Sequence, residues 1–247
     1  MGCGAYCGER QTIQLEWSFL LIVAIQQPEH LPWIGFFHKM AFVDRYVYLD
    51  SVQFKKRYFE NRNRLEAAGT ICWLTVPVIS KGRYTQRIDQ VKIDPDPRWK
   101  RKYLGRLKAC LGKAPYASEV YSLIDSVIRQ DRPLLVDLNI ALIDAFRGYL
   151  GILTPTYRAT DLKNVQGTSS ALLIELCRWM GADVYLSGPD GRSYLDLDAF
   201  SSAGIQVQYH DFQHPEYSRT QGKFISHLSI ADAAANLGPT AKYMLKD

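Results

Sequence analysis

Side chains that could transfer protons or bind a ligand cluster between residues 25 and 65. His30 lies in a proline-rich loop, and an imidazole titrates near neutral pH, as acid–base catalysis requires. Asp50 ends the next apolar run and supplies a carboxylate for the same chemistry. We therefore take His30 and Asp50 as candidate catalytic residues. Nearby polar and aromatic groups would suit a substrate with phosphate or carboxylate groups: Gln27, Trp33, Gln53, Lys55, Asn61, Arg62 and Asn63.

A second candidate segment follows the apolar run at 183–187. Gly188, Asp190 and Gly191 form a glycine-rich turn whose backbone N–H groups could hold a ligand. Further on, His210 and His214 have H-x3-H spacing, but the proline after His214 would break any helix that held both rings on one side. We expect no metal site there.

Apolar runs and helical periodicity predict the elements that carry these residues. Strands are expected at about 20–26, 45–50, 71–78, 183–187 and 205–209. Helices are expected at about 34–43, 97–112, 116–129, 133–150, 169–181, 195–203 and 228–236. For the helix at 169–181, Ser169 or Ser170 should cap the start, and Gly181 should end it.

The alternation of strands and helices at both ends predicts an α/β fold, with a parallel Rossmann-like sheet covered by helices. The helical middle predicts an insertion or subdomain within that sheet. The expected parts are an N-terminal extension, the first part of the core, the helical subdomain and the second part of the core: 1–19, 20–94, 95–150 and 151–247. Loops at the carboxyl ends of parallel strands line a common crevice, so we expect Gln27, His30, Asp50 and Asn61 to surround one hollow.

Charge along the chain predicts an anionic partner. The 247 residues carry a net charge of +5, yet residues 55–113 contain 16 lysines and arginines against 5 acidic residues. Such a segment would suit nucleotide phosphates, a nucleotide sugar, the phosphopantetheine of an acyl carrier protein, or nucleic acid. The plain alternative is a set of solvated helix faces, because the cations at 98–113 alternate with apolar residues at helical spacing.

Other features exclude several classes of protein. The longest apolar run, Phe19 to Ile25, is far shorter than the roughly 20 residues of a membrane span. Five scattered cysteines and the absence of an export signal predict a cytoplasmic protein with reduced thiols. The sequence lacks G-x-S-x-G, P-loop, H-E-x-x-H and G-x-G-x-x-G motifs, which argues against serine hydrolases, Walker-type ATPases, zincin metalloproteases and Rossmann dehydrogenases.

The chain resembles the WbqC-like family between Ile25 and Gly238. That family's pattern reads QP-x-Y-L-P-W-x-G-Y-F-x-K-I, then D-x-F-V-x-x-D-x-V-Q-F, N-R-N and W-L-T-V-P. The corresponding segments here include Gln27-Pro28, Leu31-Pro32-Trp33, Val52-Gln53-Phe54, Asn61-Arg62-Asn63 and Trp73-Leu74-Thr75-Val76-Pro77. Two positions depart from it: His30 stands where the family usually has Tyr, and Phe36 replaces another Tyr.

This resemblance implies further substrate-binding residues and a biological setting. The additional residues, all in matched motifs, are Lys39, Ser187, Tyr194, His214 and Tyr217. Family members are encoded among bacterial genes for O-antigen, other surface polysaccharides and some secondary metabolites. A fainter similarity is to pantothenate synthetase and the wider nucleotidylyl-transferase superfamily, which carry an H-x-G-H loop after strand one. His30 would match the first histidine, but Trp33 replaces the second and cannot bind phosphate as an imidazolium does.

Three functions follow from these observations. The first is a transferase or amide-forming ligase that joins an acyl or aminoacyl unit to an amino-sugar nucleotide or related precursor, from ATP-activated or carrier-bound donors. The second is a non-catalytic binding or scaffold subunit of a biosynthetic cluster. The third is a nucleic-acid-binding protein that uses the basic segment, and the lack of any sequence-reading motif makes it the weakest.

Overall fold

The fold is known from a computed structural model that describes residues 20–245. Alternating strands and helices occupy both ends of this range, with a helical stretch in the middle. The strands are β1 (Ile22–Gln26), β2 (Arg45–Tyr48), β3 (Arg62–Ala67), β4 (Thr70–Thr75), β5 (Thr156–Arg158), β6 (Val184–Ser187) and β7 (Gln206–Tyr209). The α-helices are α1 (Ile34–Ala41), α2 (Arg98–Leu111), α3 (Ala117–Ile128), α4 (Leu135–Leu150), α5 (Ser169–Met180), α6 (Leu197–Ser202) and α7 (Ile230–Leu237).

A five-stranded sheet in the order β5-β2-β1-β6-β7 forms the centre of the molecule. Every pairing in it is parallel, which confirms the predicted α/β fold with a Rossmann-like sheet. Side chains of β1 alternate between two hydrophobic cores, with Ala24 in one and Val23 and Ile25 in the other. Both faces are therefore covered, as a buried parallel sheet requires.

The helices divide between the two faces of the sheet. The larger core contains apolar residues of α1, α2, α3, α4 and α7, and the smaller core contains those of α5 and α6. The helical middle of the chain thus shares its core with one face of the sheet. Its treatment as a subdomain with the bounds 95–150 stays a prediction, and the N-terminal extension at 1–19 lies outside the described residues.

One predicted strand belongs elsewhere. The run at 71–78 forms β4, which pairs antiparallel with β3 in a separate two-stranded sheet. A two-residue turn joins the pair, with positive φ at both Ala68 (50°) and Gly69 (79°), as a type I′ hairpin requires. Strands β3 and β5 are absent from the sequence prediction.

The helices that follow β1 and β6 determine where a ligand crevice lies. These neighbouring strands are followed by α1 and α6, which cover opposite faces of the sheet. Such a reversal of direction opens a crevice beyond the carboxyl ends of the two strands. Among the helices described here, none has the length and apolar character needed to cross a membrane.

Candidate active site

A cavity of about 750 Å³ lies where the topology predicts a crevice. Its walls come from the ends of β1 and β6, the start of α1 and of α5, the segment after β2, and β3. Predicted site residues that line it are Gln27, Trp33, Lys39, Lys55, Asn63, Gly188, Asp190 and Tyr194. Segments distant in sequence thus meet in one pocket large enough for a small-molecule substrate.

The predicted catalytic pair lies outside this lining. His30 is fully buried behind the β1 loop, and Asp50 is fully buried at the end of β2. Of the four residues expected around one hollow, Gln27 lines the cavity, whereas His30, Asp50 and Asn61 do not. The cavity lies at the sheet edge that strand-end position predicts, and His30, Asp50 and Asn61 do not point into it.

His30 fastens its loop to the helical layer. Its Nδ1–H donates to Asn139 Oδ1 at 3.0 Å, and its Nε2 accepts from the Tyr103 hydroxyl at 2.7 Å. Asn139 Nδ2 in turn donates to the Pro28 carbonyl at 2.9 Å. Burial lowers the pKa of His30 to about 4, against a weaker opposing effect of the Asn139 hydrogen bond, so the imidazole is neutral. These contacts immobilise the residues on both sides of Glu29.

Asp50 ties β2 to the segment that follows β5. Its Oδ2 accepts from Arg158 Nε at 2.8 Å and from the Thr160 hydroxyl at 2.8 Å, and its Oδ1 accepts from the Thr160 backbone N–H at 3.0 Å. A fully buried carboxylate with three donors is stabilised as a structural anion. This geometry explains why Asp50 ends the strand without facing the cavity.

The remaining predicted residues do not line the cavity, and their side chains have partners within the fold. Gln53 donates to the Tyr84 carbonyl, Asn61 donates to the Val76 carbonyl, and the Arg62 guanidinium lies 4.1 Å from the Trp73 ring centroid. The Ser187 hydroxyl donates to the Gly188 carbonyl, the His214 ring bonds the Pro215 carbonyl, and the Tyr217 hydroxyl donates to Asp232. His214 nevertheless supports the cavity wall indirectly, since it stacks on Trp33 at 5.7 Å between ring centroids.

The cavity contains an acidic and a basic side chain near one amide. Lys39 Nζ donates to Gln26 Oε1 at 3.2 Å, and the side chains of Gln26 and Lys39 both lower the pKa of Glu29. All three residues line the cavity, and neither Gln26 nor Glu29 is among the predicted site residues. A carboxylate and an ammonium group thus lie together at the carboxyl end of β1.

Burial brings the proton affinities of this pair close together. The pKa of Glu29 is raised to about 7 by burial and by the charge of Glu60, against the effects of Gln26 and Lys39. Burial lowers the pKa of Lys39 to about 8, and the charge of Glu29 opposes that shift. A carboxylate and an amine that both titrate near neutral pH are suited to proton transfer.

Trp33 and the segment 210–229 form another wall. The Trp33 ring centroid lies 4.4 Å from that of His227 and 5.6 Å from that of Phe212. A Cβ at Gly35 would lie 2.2 Å from the Trp33 ring, so glycine is required for the indole to lie over the start of α1. This wall also contains the cation Arg64, whose Nε donates to the His227 carbonyl at 3.3 Å.

Several lining residues carried a weak sequence signal. Arg64 and Tyr58 lie near predicted residues, and Ser169 is the first residue of a predicted helix, but His227 lies in a polar stretch with no motif. Within residues 20–245 no group of three or more histidine, cysteine or carboxylate side chains has the proximity needed to hold a metal ion. The arrangement instead offers a proton acceptor, three cations and hydrogen-bonding amides.

Comparisons with known proteins give the family of this chain. The sequence model of the WbqC-like protein family matches residues 27–244. A Mycobacterium tuberculosis protein named "Uncharacterized protein Rv1507c" is 33% identical over 226 residues, which cover 91% of this chain and 97% of that protein. No solved structure matches the chain. The match over nearly the whole chain, together with the fold and the motifs at the cavity, shows that this protein belongs to the WbqC-like family.

Proposed function

We propose that the protein is an enzyme that forms an amide between an acyl or aminoacyl donor and an amino group on an anionic small molecule. An amino-sugar nucleotide is the acceptor class that best suits the cavity. The observation that carries this proposal is Glu29, a carboxylate whose pKa burial raises to about 7, in the wall of the same crevice that Lys39 lines. Glu29 would serve as the general base.

The reaction needs a base because an amine is protonated at neutral pH. Glu29 accepts a proton from the acceptor's ammonium group, and the free amine attacks the acyl carbon to form the C–N bond. The bond from the acyl carbon to its leaving group then breaks, and the attacking nitrogen loses its second proton to the leaving group or to water. AMP leaves from an acyl adenylate, or a thiol leaves from a carrier-bound thioester. The protonated Lys39 stabilises the negative charge that develops on the acyl oxygen.

Cations in the walls suit the anionic part of the substrate. Lys55 and Arg64 line the same cavity as Glu29 and Lys39. Phosphate or carboxylate groups would bind to these side chains, while the acceptor's amine lies at Glu29. The two donor classes, ATP-activated acids and carrier-bound thioesters, are compatible with this arrangement and are separated by experiment.

The test is amide formation by purified protein. The full chain is incubated with an amino-sugar nucleotide and either ATP plus free amino acids or an acyl carrier protein thioester, and the amide is detected by mass spectrometry. Glu29→Gln should reduce turnover at least about a hundredfold, since a general base contributes roughly 10²–10⁴ in rate. Glu216→Gln, which changes an exposed glutamate outside the cavity, is the matched control and should retain activity.

Two results would contradict the proposal. One is an absence of turnover with every donor while the protein remains folded. The other is a Glu29→Gln variant that retains full turnover. Unchanged pathway output in cells that carry Glu29→Gln would favour the non-catalytic binding subunit instead.

A further inference from the structure

Two exposed tyrosines lie on separate loops at the rim of the cavity. Tyr58 follows β2 and is 45% exposed, and Tyr194 follows β6 and is 56% exposed. Aromatic faces open to solvent at a polar cavity provide surfaces on which a planar ring can stack. The amide-forming chemistry at Glu29 uses neither residue.

Asp190 places a carboxylate at the same rim. Its side chain is exposed and lines the cavity, and in the described part of the chain neither carboxylate oxygen has a hydrogen bond or ion pair. Burial and then the charge of Asp190 raise the pKa of Tyr194. Burial, the charge of Glu29 and then that of Asp190 raise the pKa of Tyr58. Asp190, Tyr58 and Tyr194 all line the same cavity.

Local packing fixes the loop that carries Asp190 and Tyr194. A Cβ at Gly191 would lie 2.1 Å from the Ser187 hydroxyl, so only glycine permits this tight turn after β6. The guanidinium of Arg192 lies 4.1 Å from the centroid of the Tyr209 ring on β7. Both contacts hold the carboxylate and the tyrosine at the rim before any ligand binds, which lowers the entropic cost of binding.

We propose that this rim binds the base of a guanine nucleotide, with the ring stacked on Tyr58 and Tyr194 and two ring-edge N–H groups donating to Asp190. The inference rests on the proposed function for the identity of the cavity as the substrate site. Lys55 Nζ lies 5.3 Å from the Tyr58 ring centroid and supplies a cation for the nucleotide's phosphates.

The choice of guanine follows from hydrogen-bonding chemistry. A carboxylate only accepts hydrogen bonds, and it has two oxygens side by side. Guanine presents two adjacent donors, N1–H and the exocyclic N2 amino group. Adenine and cytosine present one donor beside an acceptor, and uracil presents one donor between two acceptors, so each directs a lone pair at the carboxylate. Asp190 therefore discriminates in favour of guanine.

The test is calorimetric titration of the full chain with GDP, ADP and UDP. GDP should bind at least about tenfold more tightly than the others, because hydrogen bonds to a charged group are stronger than those between neutral groups. Asp190→Asn should remove that preference. Because the Asp190 side chain is exposed, this substitution should leave the fold intact, so a lost preference would not reflect unfolding. Tyr194→Ala should weaken all three nucleotides alike. Tyr84→Ala, at a tyrosine that is 78% exposed and outside the cavity, should change nothing.

The outcomes separate this inference from the proposed function. Equal binding of the three nucleotides, absence of nucleotide binding, or a guanine preference that survives Asp190→Asn would overturn the inference. GDP binding without amide formation would contradict the proposed function alone. Efficient amide formation on an acceptor without guanine, with Glu29 essential, would contradict the guanine assignment alone.

Discussion

Glu29 and Lys39 line one cavity, and the lysine donates a hydrogen bond to Gln26 beside them. Burial raises the pKa of Glu29 to about 7 and lowers that of Lys39 to about 8. Both side chains therefore change charge within a narrow pH range. In the proposed reaction, an ionised Glu29 accepts a proton beside a charged Lys39 that stabilises the oxyanion. The proposed activity should therefore depend on both ionisations.

The first prediction concerns the pH dependence of kcat/KM. Activity should rise as Glu29 loses its proton near pH 7 and fall as Lys39 loses its proton near pH 8, which gives a narrow bell-shaped profile. In the Lys39→Arg variant the fall in kcat/KM should occur at a higher pH, since a guanidinium stays charged. An alkaline limb that is identical in the wild type and Lys39→Arg would show that Lys39 does not determine it.

The second prediction concerns His30 and stability. The pKa of His30 is about 4 in the folded state and about 6.5 when the chain is unfolded, so its contribution is complete above pH 6.5 and is lost as the pH falls to 4. The raised pKa of Glu29 makes stability change with pH in the opposite direction, but both proteins share this effect, so it cancels when the wild type is compared with His30→Gln. As the pH is lowered from 6.5 to 4, the difference in unfolding free energy between the two proteins should fall by up to about 1.4 kcal/mol per pH unit. Urea unfolding between pH 4 and 7 measures this change, and a difference that stays constant would show that folding does not lower the pKa of His30.

Sequence position alone could not separate Glu29 from His30. Both lie in the predicted loop, and a histidine is the more common catalytic type, but only the fold shows that the His30 ring bonds Asn139 and Tyr103 in the core. The partners come from helices about 70 and 110 residues away along the chain. Burial by such distant elements also sets the pKa of Glu29, and no local pattern encodes it.

At the scale of elements, apolar pattern identified the long helices and the central strands but not β3. Every second residue of β3 is charged: Arg62, Arg64 and Glu66. The strand therefore contains no apolar run, which is the pattern that predicted the central strands. The cap of α5 also differs from prediction. Thr168 precedes the helix without a side-chain cap, and the Ser170 hydroxyl accepts instead from the Asp196 backbone. The predicted ending at Gly181 is confirmed, with φ of 65°.

The third prediction concerns the β3–β4 turn. Ala68 has φ of 50°, which costs energy in a residue with a Cβ, whereas asparagine tolerates this conformation and pairs with glycine in type I′ turns. Ala68→Asn should therefore raise the free energy of unfolding by about 0.5–1 kcal/mol without changing activity. Thermal unfolding monitored by circular dichroism measures the change. Ala182→Asn, at a partly buried site outside the turn, is the control. An equal rise in its free energy of unfolding would show that the turn conformation is not the cause.

At the scale of the whole molecule, the cavity depends on contacts between the two ends of the chain. The β1 loop and β3 contribute to its lining together with the start of α5, the β6 loop and the segment 210–229. The cavity lies at the carboxyl ends of the strands, where parallel topology places a crevice. The exact lining could not be predicted, since it depends on how the segment 210–229, which has no regular structure until α7, packs against Trp33.

A buried ion network holds that last segment in place. Arg219 lies 2.7 Å from Glu66 on β3 and 2.8 Å from Asp232 on α7, and all three side chains are buried. The Tyr217 hydroxyl also donates to Asp232 at 2.6 Å. The network thus joins the hairpin, the terminal helix and the segment that carries His210 and His227 to the cavity wall.

The fourth prediction follows from the cost of leaving buried charges unpaired. Arg219→Met removes the cation and leaves two carboxylates without compensation, so it should reduce the free energy of unfolding by about 3–5 kcal/mol. The triple variant Glu66→Gln, Arg219→Met, Asp232→Asn removes all three charges and should recover most of this loss. Denaturant unfolding compares the three proteins. If the triple variant is as unstable as Arg219→Met, lost packing rather than unpaired charge sets the cost, and the network does not fasten the cavity wall electrostatically.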